Sequence, residues 1–321
     1  ILDPEVLKDP YPFFSRLRQE ASAVKVAPFG VWAVTGYDDV VDLLMRPDDF
    51  SSEIGGTPGS VGGPRPALNI VTADNPDHDR LRAILHKNFT PRRVAAIGPR
   101  IEDLARDLVN KVKDRDQFDF VKEVAIPLPV IVIAELLGAE PERIDDFKRW
   151  SDCIAQVETG SNPEIREAAK AGVADLTKYL SDLIERRRQT EPGDDLIGIL
   201  VKAEQEPGRI SQKEVLAYCL RCLSGGNEPT TNLISGMVLA LLQNPDQLDR
   251  LINDPSLIPS AVEEGVRFCS PFKGLFRRTT RAVTLGDTKL PENAPIFVAF
   301  GAANRDESRF PDPDRFDITR D

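Results

Sequence analysis

The stretch QKEVLAYCLRCLSGGNEPTTNLISGMVLALLQ, residues 212–243, decides how the chain is read. Apolar residues recur at helical spacing on both sides of a centre, SGGNEPTTN at 224–232, that opposes a helix. Glycine in a helix interior costs about 1 kcal/mol relative to alanine, and proline about 3 kcal/mol. Pro229 has no N–H to give to the carbonyl of Gly225, and its ring crowds that carbonyl. Local rules therefore favour two helices. One ends at Gly225-Gly226, and the next is capped by Asn227 with Pro229 in its first turn. The competing reading is one helix bent around something. A bend built of small residues opens a groove against the helix axis, frees a carbonyl and sets Glu228 beside the opening. A flat cofactor and a small ligand could lie against such a groove.

Away from this stretch the pattern is mostly helical. Helices are predicted at 12–20, over DDVVDLLM at 38–45, from Asn75 to Phe89, and at 94–113, 128–137, 141–158, 164–188 and 194–204. NPDQLDRLIN and IPSAVEEGVRF add two more. VKVAPFGVWAVT at 24–35 reads as a hairpin turning at Pro28-Phe29-Gly30, and short β runs return after Pro271. Residues 51–67, SSEIGGTPGSVGGPRPA, read as a long loop, either a lid or binding loop or a plain surface loop. No repeat and no linker divides the chain, so one mainly helical domain with a small β part is expected over 1–321.

The bulk numbers exclude several classes. The chain has 321 residues, 41% of them hydrophobic, enough for a sizeable core, and a net charge of −11. A globally acidic chain is a poor non-specific partner for nucleic acid. No apolar run is long enough to span a bilayer, and no signal-peptide pattern opens the sequence. Cys153, Cys219, Cys222 and Cys269 form no disulfide framework, which fits a reducing, cytoplasmic setting. Cys219 and Cys222 lie three apart on one helix without a second ligand pair. They read as packing, so no metal site is assigned to them.

Two further motifs carry charge at helical spacing. In AVEEGVRF, 261–268, Glu264 and Arg267 are three apart and can pair. Val262, Val266 and Phe268 mark a partly buried helix, where such a pair needs further partners; Arg315 in PDPDRFD is the candidate. In NPDHDRLRAILHKNFTPRR, 75–93, His78 and Arg82 share one face and could clamp an anion. The plain alternative is an amphipathic surface helix. Between His78 and Arg93 five basic residues, Arg80, Arg82, Lys87, Arg92 and Arg93, face one Asp, a combination suited to an acidic partner protein.

In order along the chain, DPYPFFSRLR, H-x-x-x-R before FTP, the Gly-Gly helix, E-x-x-R, and ANRD with FPDPDRFD resemble the bacterial soluble cytochrome P-450 family, the haem-thiolate monooxygenases. The resemblance covers essentially the whole chain. It implies the mainly α cytochrome P-450 fold with a small β part, haem b as cofactor, and one long helix bent over the haem. His78 and Arg82 then look like propionate-binding residues, as does Arg277 in RRTTRAVTLG, with Arg278 as its neighbour in register. Glu264, Arg267 and Arg315 match the family's structural triad. Gly225 matches a cofactor-binding position. Gly226 and Glu228, with Thr230 as the nearest hydroxyl, match the catalytic positions. The activity implied is insertion of one oxygen atom from dioxygen into a small to medium apolar organic substrate, or its oxidative dealkylation. Electrons would come from a ferredoxin-type or flavin redox partner docking near Arg80, Arg82, Lys87, Arg92 and Arg93. The pocket walls expected are the loop 51–72, the helices at 141–188, Gly225, Gly226 and Phe272–Phe276.

Two features depart from the family pattern. Pro229 stands where a threonine usually follows the acid, so the hydroxyl that helps deliver protons is missing. Glu228, Thr230 or ordered water would supply the relay; uncoupled oxygen activation, a polar group on the substrate, or a peroxide-driven peroxygenase reaction are the other outcomes. The family's iron-ligand cysteine lies in a Gly- and Phe-containing loop downstream of PDRF. No cysteine here has that context, so it is expected beyond Asp321, with 1–321 part of a longer protein. A non-enzymatic binding protein without functional haem is the reading from another class, and a propionate clamp argues against it.

Overall fold

The structure, a computed structural model, describes residues 6, 8–27, 30–53, 70–86, 89–159 and 162–320. Most of the 51–72 loop and the Pro28-Phe29 turn lie outside them. The described residues divide between two compact units. One draws on 1–66, 71–74 and 236–321, the other on 67–70 and 75–235.

In chain order the elements begin with α1 (Tyr11–Glu20), β1 (Val24–Val26), β2 (Val31–Val34), α2 (Tyr37–Leu44) and β3 (Phe50–Ser51). A helical run follows: α3 (Asp77–His86), α4 (Pro91–Asn110), a π-helical turn at Val121–Ala125, α5 (Pro127–Leu137), α6 (Ile144–Thr159), α7 (Pro163–Gln189), α8 (Leu196–Glu204) and α9 (Gln212–Gln243). Then come α10 (Pro245–Asn253), α11 (Ile258–Cys269), β4 (Leu275–Thr279), β5 (Val283–Leu285), β6 (Thr288–Leu290), β7 (Pro295–Val298) and α12 (Phe300–Ala303). No described helix is long and apolar enough to cross a membrane.

The first unit is organised by a five-stranded sheet in the order β1-β2-β7-β4-β3, beside a β5-β6 hairpin. β2 runs parallel to β7, with Trp32 opposite Ile296, while β4 is antiparallel to β7, with Phe276 opposite Phe297 and Arg277 opposite Ile296. Alternation of side chains divides the sheet into two faces. Val34, Ile296 and Val298 pack with Leu43, Phe50, Leu285 and Leu290, whereas Val31, Phe276 and Phe297 pack with Phe14. A third core joins Ala240, Leu241 and Ala261 to Phe316 and Ile318.

The second unit is helical. Two of its helices, α4 and α7, start with proline in the first turn behind a capping side chain: Thr90 accepts from the Arg93 amide, and Asn162 from the Glu164 amide. Gly138 ends α5 at φ 78°, in the left-handed region that favours glycine. Leu81, Leu137, Phe147, Trp150, Leu176, Leu180, Leu200 and Tyr218 are fully buried.

α9 does not break. It is α-helical through all 32 residues from Gln212 to Gln243, with Pro229 inside. The two-helix expectation from local rules fails here, because propensity is a weak prior against tertiary packing.

Candidate functional site

The glycine pair of α9 is asymmetric. Among the described residues a Cβ on Gly225 would meet nothing within 4 Å, while one on Gly226 would lie 3.5 Å from Ile133 of α5. Gly225 therefore marks the open side of the helix and Gly226 the packed side. Glu228 lies about 60° from Gly225 around the axis, and Thr230 about 140° away on the other side. Glu228 is exposed and forms no ion pair among the described residues. The back of the helix is polar and buried. Asn227 donates to the Ser151 hydroxyl of α6, and Thr231 has the Ala125 carbonyl and the Asn227 amide oxygen each at 3.2 Å. From the sequence Asn227 reads only as a helix cap, and Ser151 and Thr231 are not singled out. The signal available was two polar residues four apart on an otherwise apolar stripe.

α3 also has two sides. Leu81 and Ile84 are buried, and Arg80 points with them. Its guanidinium reaches Glu214 at 2.6 Å, Asp77 at 2.7 Å and the Arg209 carbonyl at 2.8 Å. Tyr218 of α9 adds a hydroxyl contact to the Leu81 carbonyl at 3.5 Å, and burial pushes its phenol pKa up. These bonds hold α3 to the N-terminal turns of α9. The opposite side carries His78 and Arg82, one turn apart. His78 is half-exposed with Nδ1 3.2 Å from Asp79, and Arg82 is exposed and forms no ion pair among the described residues. Of the basic set read from the sequence, Arg80 is committed to internal carboxylates. Lys87 lies outside the described residues, and Arg92 and Arg93 are exposed.

Arg277 is half-buried on β4. The one hydrogen bond of its guanidinium among the described residues goes to the Phe276 carbonyl at 3.0 Å. Burial pulls its guanidinium below the ordinary arginine value, and Asp74 pulls it back. The Asp74 carboxylate is itself taken by the Ser51 hydroxyl and by the Ser52 amide at 2.7 Å. Arg278 alternates to the other side and pairs with Glu53 at 3.4 Å. A half-buried arginine without a carboxylate of its own is a group that fits an anion such as a haem propionate. His78 with Arg82, and the open side of Gly225, pass the same test of fit individually. Of the cysteines on α9, Cys219 is buried and Cys222 half-buried, and burial raises the Cys219 thiol and pushes Cys222 up to about 12.

Glu264 and Arg267 form a buried bidentate pair at 2.6 and 2.8 Å, with side chains 2% and 7% exposed. The third member differs from expectation. The Arg315 guanidinium is 60% exposed and 4.0 Å from Asp317, and only its carbonyl enters the cluster, accepting from Arg267 at 3.1 Å. The arginine that reaches Glu264 is Arg320, at 3.4 Å, and it also donates to the Pro311, Asp312 and Arg315 carbonyls. The flanking valines invert as well: Val262 and Val266 are exposed, while Glu264 and Arg267 are in the core. The burying face of α11 is Ala261, Glu264, Gly265 and Arg267. Counting apolar residues points the helix the wrong way.

Comparison with known proteins agrees with this architecture. The cytochrome P450 family profile matches residues 148–320. Cytochrome P450 107B1 of Saccharopolyspora erythraea is 41% identical over 99% of this chain and 80% of its own length. The 6-deoxyerythronolide B hydroxylase of the same organism is 38% identical over 98% of this chain and 80% of its own length. Among solved structures, cytochrome P450 CYP109Q5 of Chondromyces apiculatus has a TM-score of 0.87 at 40% identity, covering 99% of this chain and 80% of that one. Members of the family bind haem through a cysteine thiolate and oxidise organic substrates with electrons from a redox partner. Sequence likeness along nearly the whole chain and the matching helical fold lead to one conclusion: this chain belongs to the cytochrome P450 family, the haem-dependent monooxygenases.

Proposed function

We propose that the open side of α9, Gly225 with Glu228, is the reaction face of this monooxygenase, and that Glu228 moves the protons a threonine at position 229 would otherwise help deliver. The observation that carries this is the continuity of α9 through Pro229, which keeps Gly225 and Glu228 on one side and turns Thr230 away. Haem supplies the oxygen-activating chemistry, and the chain supplies position and protons. His78 with Arg82, and separately Arg277, would each hold a haem propionate by charge-assisted hydrogen bonds. The Glu264–Arg267–Arg320 cluster keeps the 304–320 segment rigid. The substrate class is a small to medium apolar organic compound, and the setting is cytoplasmic.

Glu228→Gln tests the relay. It removes the acid and keeps the shape. Product formed per electron consumed is expected to fall by about a hundredfold or more, the lower end of what general acid–base catalysis contributes. The reduced carbon-monoxide difference spectrum stays unchanged. An unaltered ratio rejects Glu228 as the relay. Pro229→Thr raises the ratio if the missing hydroxyl limits coupling. Unchanged turnover of both variants with added peroxide, alongside poor turnover with dioxygen, would favour the peroxygenase reading.

A ferredoxin-type or flavin partner docks on the basic run from Arg82 of α3 to Arg93 of α4. Arg80 is excluded by its internal pairs, which leaves Arg82, Lys87, Arg92 and Arg93. Arg92→Glu with Arg93→Glu slows reduction, and the loss shrinks as salt screens the attraction. Rates that do not respond to the charge reversal reject this surface.

A further inference from the structure

The buried polar cluster behind α9 is the feature the site leaves unexplained. Asn227 and Thr231 lie on the side away from Gly225, and Ser151 and the Ala125 carbonyl meet them there. All three side chains are buried. A helix needs no such cluster for burial, since apolar residues of the same shape would pack without it. The location is informative. The stretch 225–229 holds two glycines and a proline, so its own ladder lacks the Pro229 donor to the Gly225 carbonyl. It is the part of α9 least able to hold its own rotation and bend. The bonds to Ser151 and Ala125 grip it there, one residue before Glu228 and three after. Ala125 closes the π-helical turn, whose Ile126 amide bonds back five residues to Val121 at 2.9 Å.

We infer that Asn227, Thr231 and Ser151 are positioning residues for the oxidation. They fix the rotation of α9 where its backbone is weakest, and so set the direction in which Glu228 and the open side of Gly225 point. The inference rests on Glu228 being the proton relay. It extends that reading to residues that touch neither substrate nor cofactor. The Asn227 amide donates to Ser151 at one end, and at the other the single Thr231 hydroxyl proton is shared between its oxygen and the Ala125 carbonyl, so loss of either partner loosens it.

The test uses the haem-loaded protein with Ser151→Ala, Thr231→Val and the conservative Ser151→Thr, which keeps a hydroxyl. Amide hydrogen exchange over 225–232 is read first, without turnover. It is expected to rise about tenfold in Ser151→Ala and Thr231→Val and to return towards wild type in Ser151→Thr. Product per electron consumed should fall severalfold in the same two variants and recover in the third, at unchanged substrate KM. A purely structural role lowers the melting temperature but leaves coupling intact well below it, and that result overturns the inference. Unchanged exchange overturns it too. If Glu228→Gln has no effect on coupling, the relay reading itself has failed. If Glu228→Gln matters and the Ser151 and Thr231 variants do not, only the positioning inference falls.

Discussion

The Glu264–Arg267 cluster and the Gly225–Pro229 stretch of α9 both put groups into a helix that packing alone would not choose, and they are built in opposite ways. In the cluster every N–H of the Arg267 guanidinium and both oxygens of Glu264 are taken. The guanidinium of Arg267 serves Glu264 twice and the carbonyls of Asn304, Pro313 and Arg315. Glu264 accepts in addition from the Asp317 amide at 2.8 Å. In α9 the front is left open, with no contact for a Cβ at Gly225, and only the back is pinned. Saturated hydrogen bonding gives one rigid arrangement. A weak ladder gripped from behind leaves a face on which other atoms can be placed. The difference separates scaffold from working surface without reference to any ligand.

The largest effect is expected at the cluster. Arg267→Leu leaves a buried carboxylate without its partner, and breaking such a pair typically costs about 3–5 kcal/mol. Arg267→Lys should recover little, because an ammonium cannot serve a bidentate carboxylate and three carbonyls from one point. The measurement is the denaturant midpoint of the haem-loaded protein. A loss below about 1 kcal/mol, the scale of an ordinary single hydrogen bond, would mean that the cluster is not the rigid half of the contrast.

The next prediction separates two arginines. Arg320→Ala removes bonds to three carbonyls and the contact to Glu264, and should cost about 1–3 kcal/mol. Arg315→Ala removes an exposed side chain while its carbonyl stays, and should fall within about 0.5 kcal/mol of wild type. The reverse order would return Arg315 to the cluster.

These two regions also show what was legible in the sequence. Helix positions, the hairpin at β1-β2 and the later β runs follow from periodicity and from Pro, Gly and Asn punctuation, which act locally. Glu264 and Arg267 could be paired because three residues set a face. Their third partner could not be chosen, since Arg315 and Arg320 differ only in how the 311–320 segment turns, and that depends on tertiary contacts. The same limit explains α9. Local propensity counts the costs of Gly225, Gly226 and Pro229, but it cannot see Ser151 or the Ala125 carbonyl waiting behind the helix. Only the resemblance to a known family supplied the single long helix in advance. Arg80 is a further case: it carries the same charge as Arg82, yet its place on the buried side of α3 commits it to Glu214.

The smallest effect belongs to the open side of α9 and has the opposite sign from the rest. Gly225→Ala adds a methyl group where none of the described residues lies within 4 Å, so it meets no resistance from them. Alanine also loses less backbone freedom on folding than glycine in a helix interior, a gain of about 0.5–1 kcal/mol. The haem-free protein should therefore melt slightly higher. Turnover should suffer, because the new methyl projects from the face on which substrate and cofactor are proposed to lie. Stability and activity moving apart is the signature of a surface kept open for use. A drop in stability would show that the space beside Gly225 is filled, and the contrast between a saturated cluster and an open helix face would no longer hold.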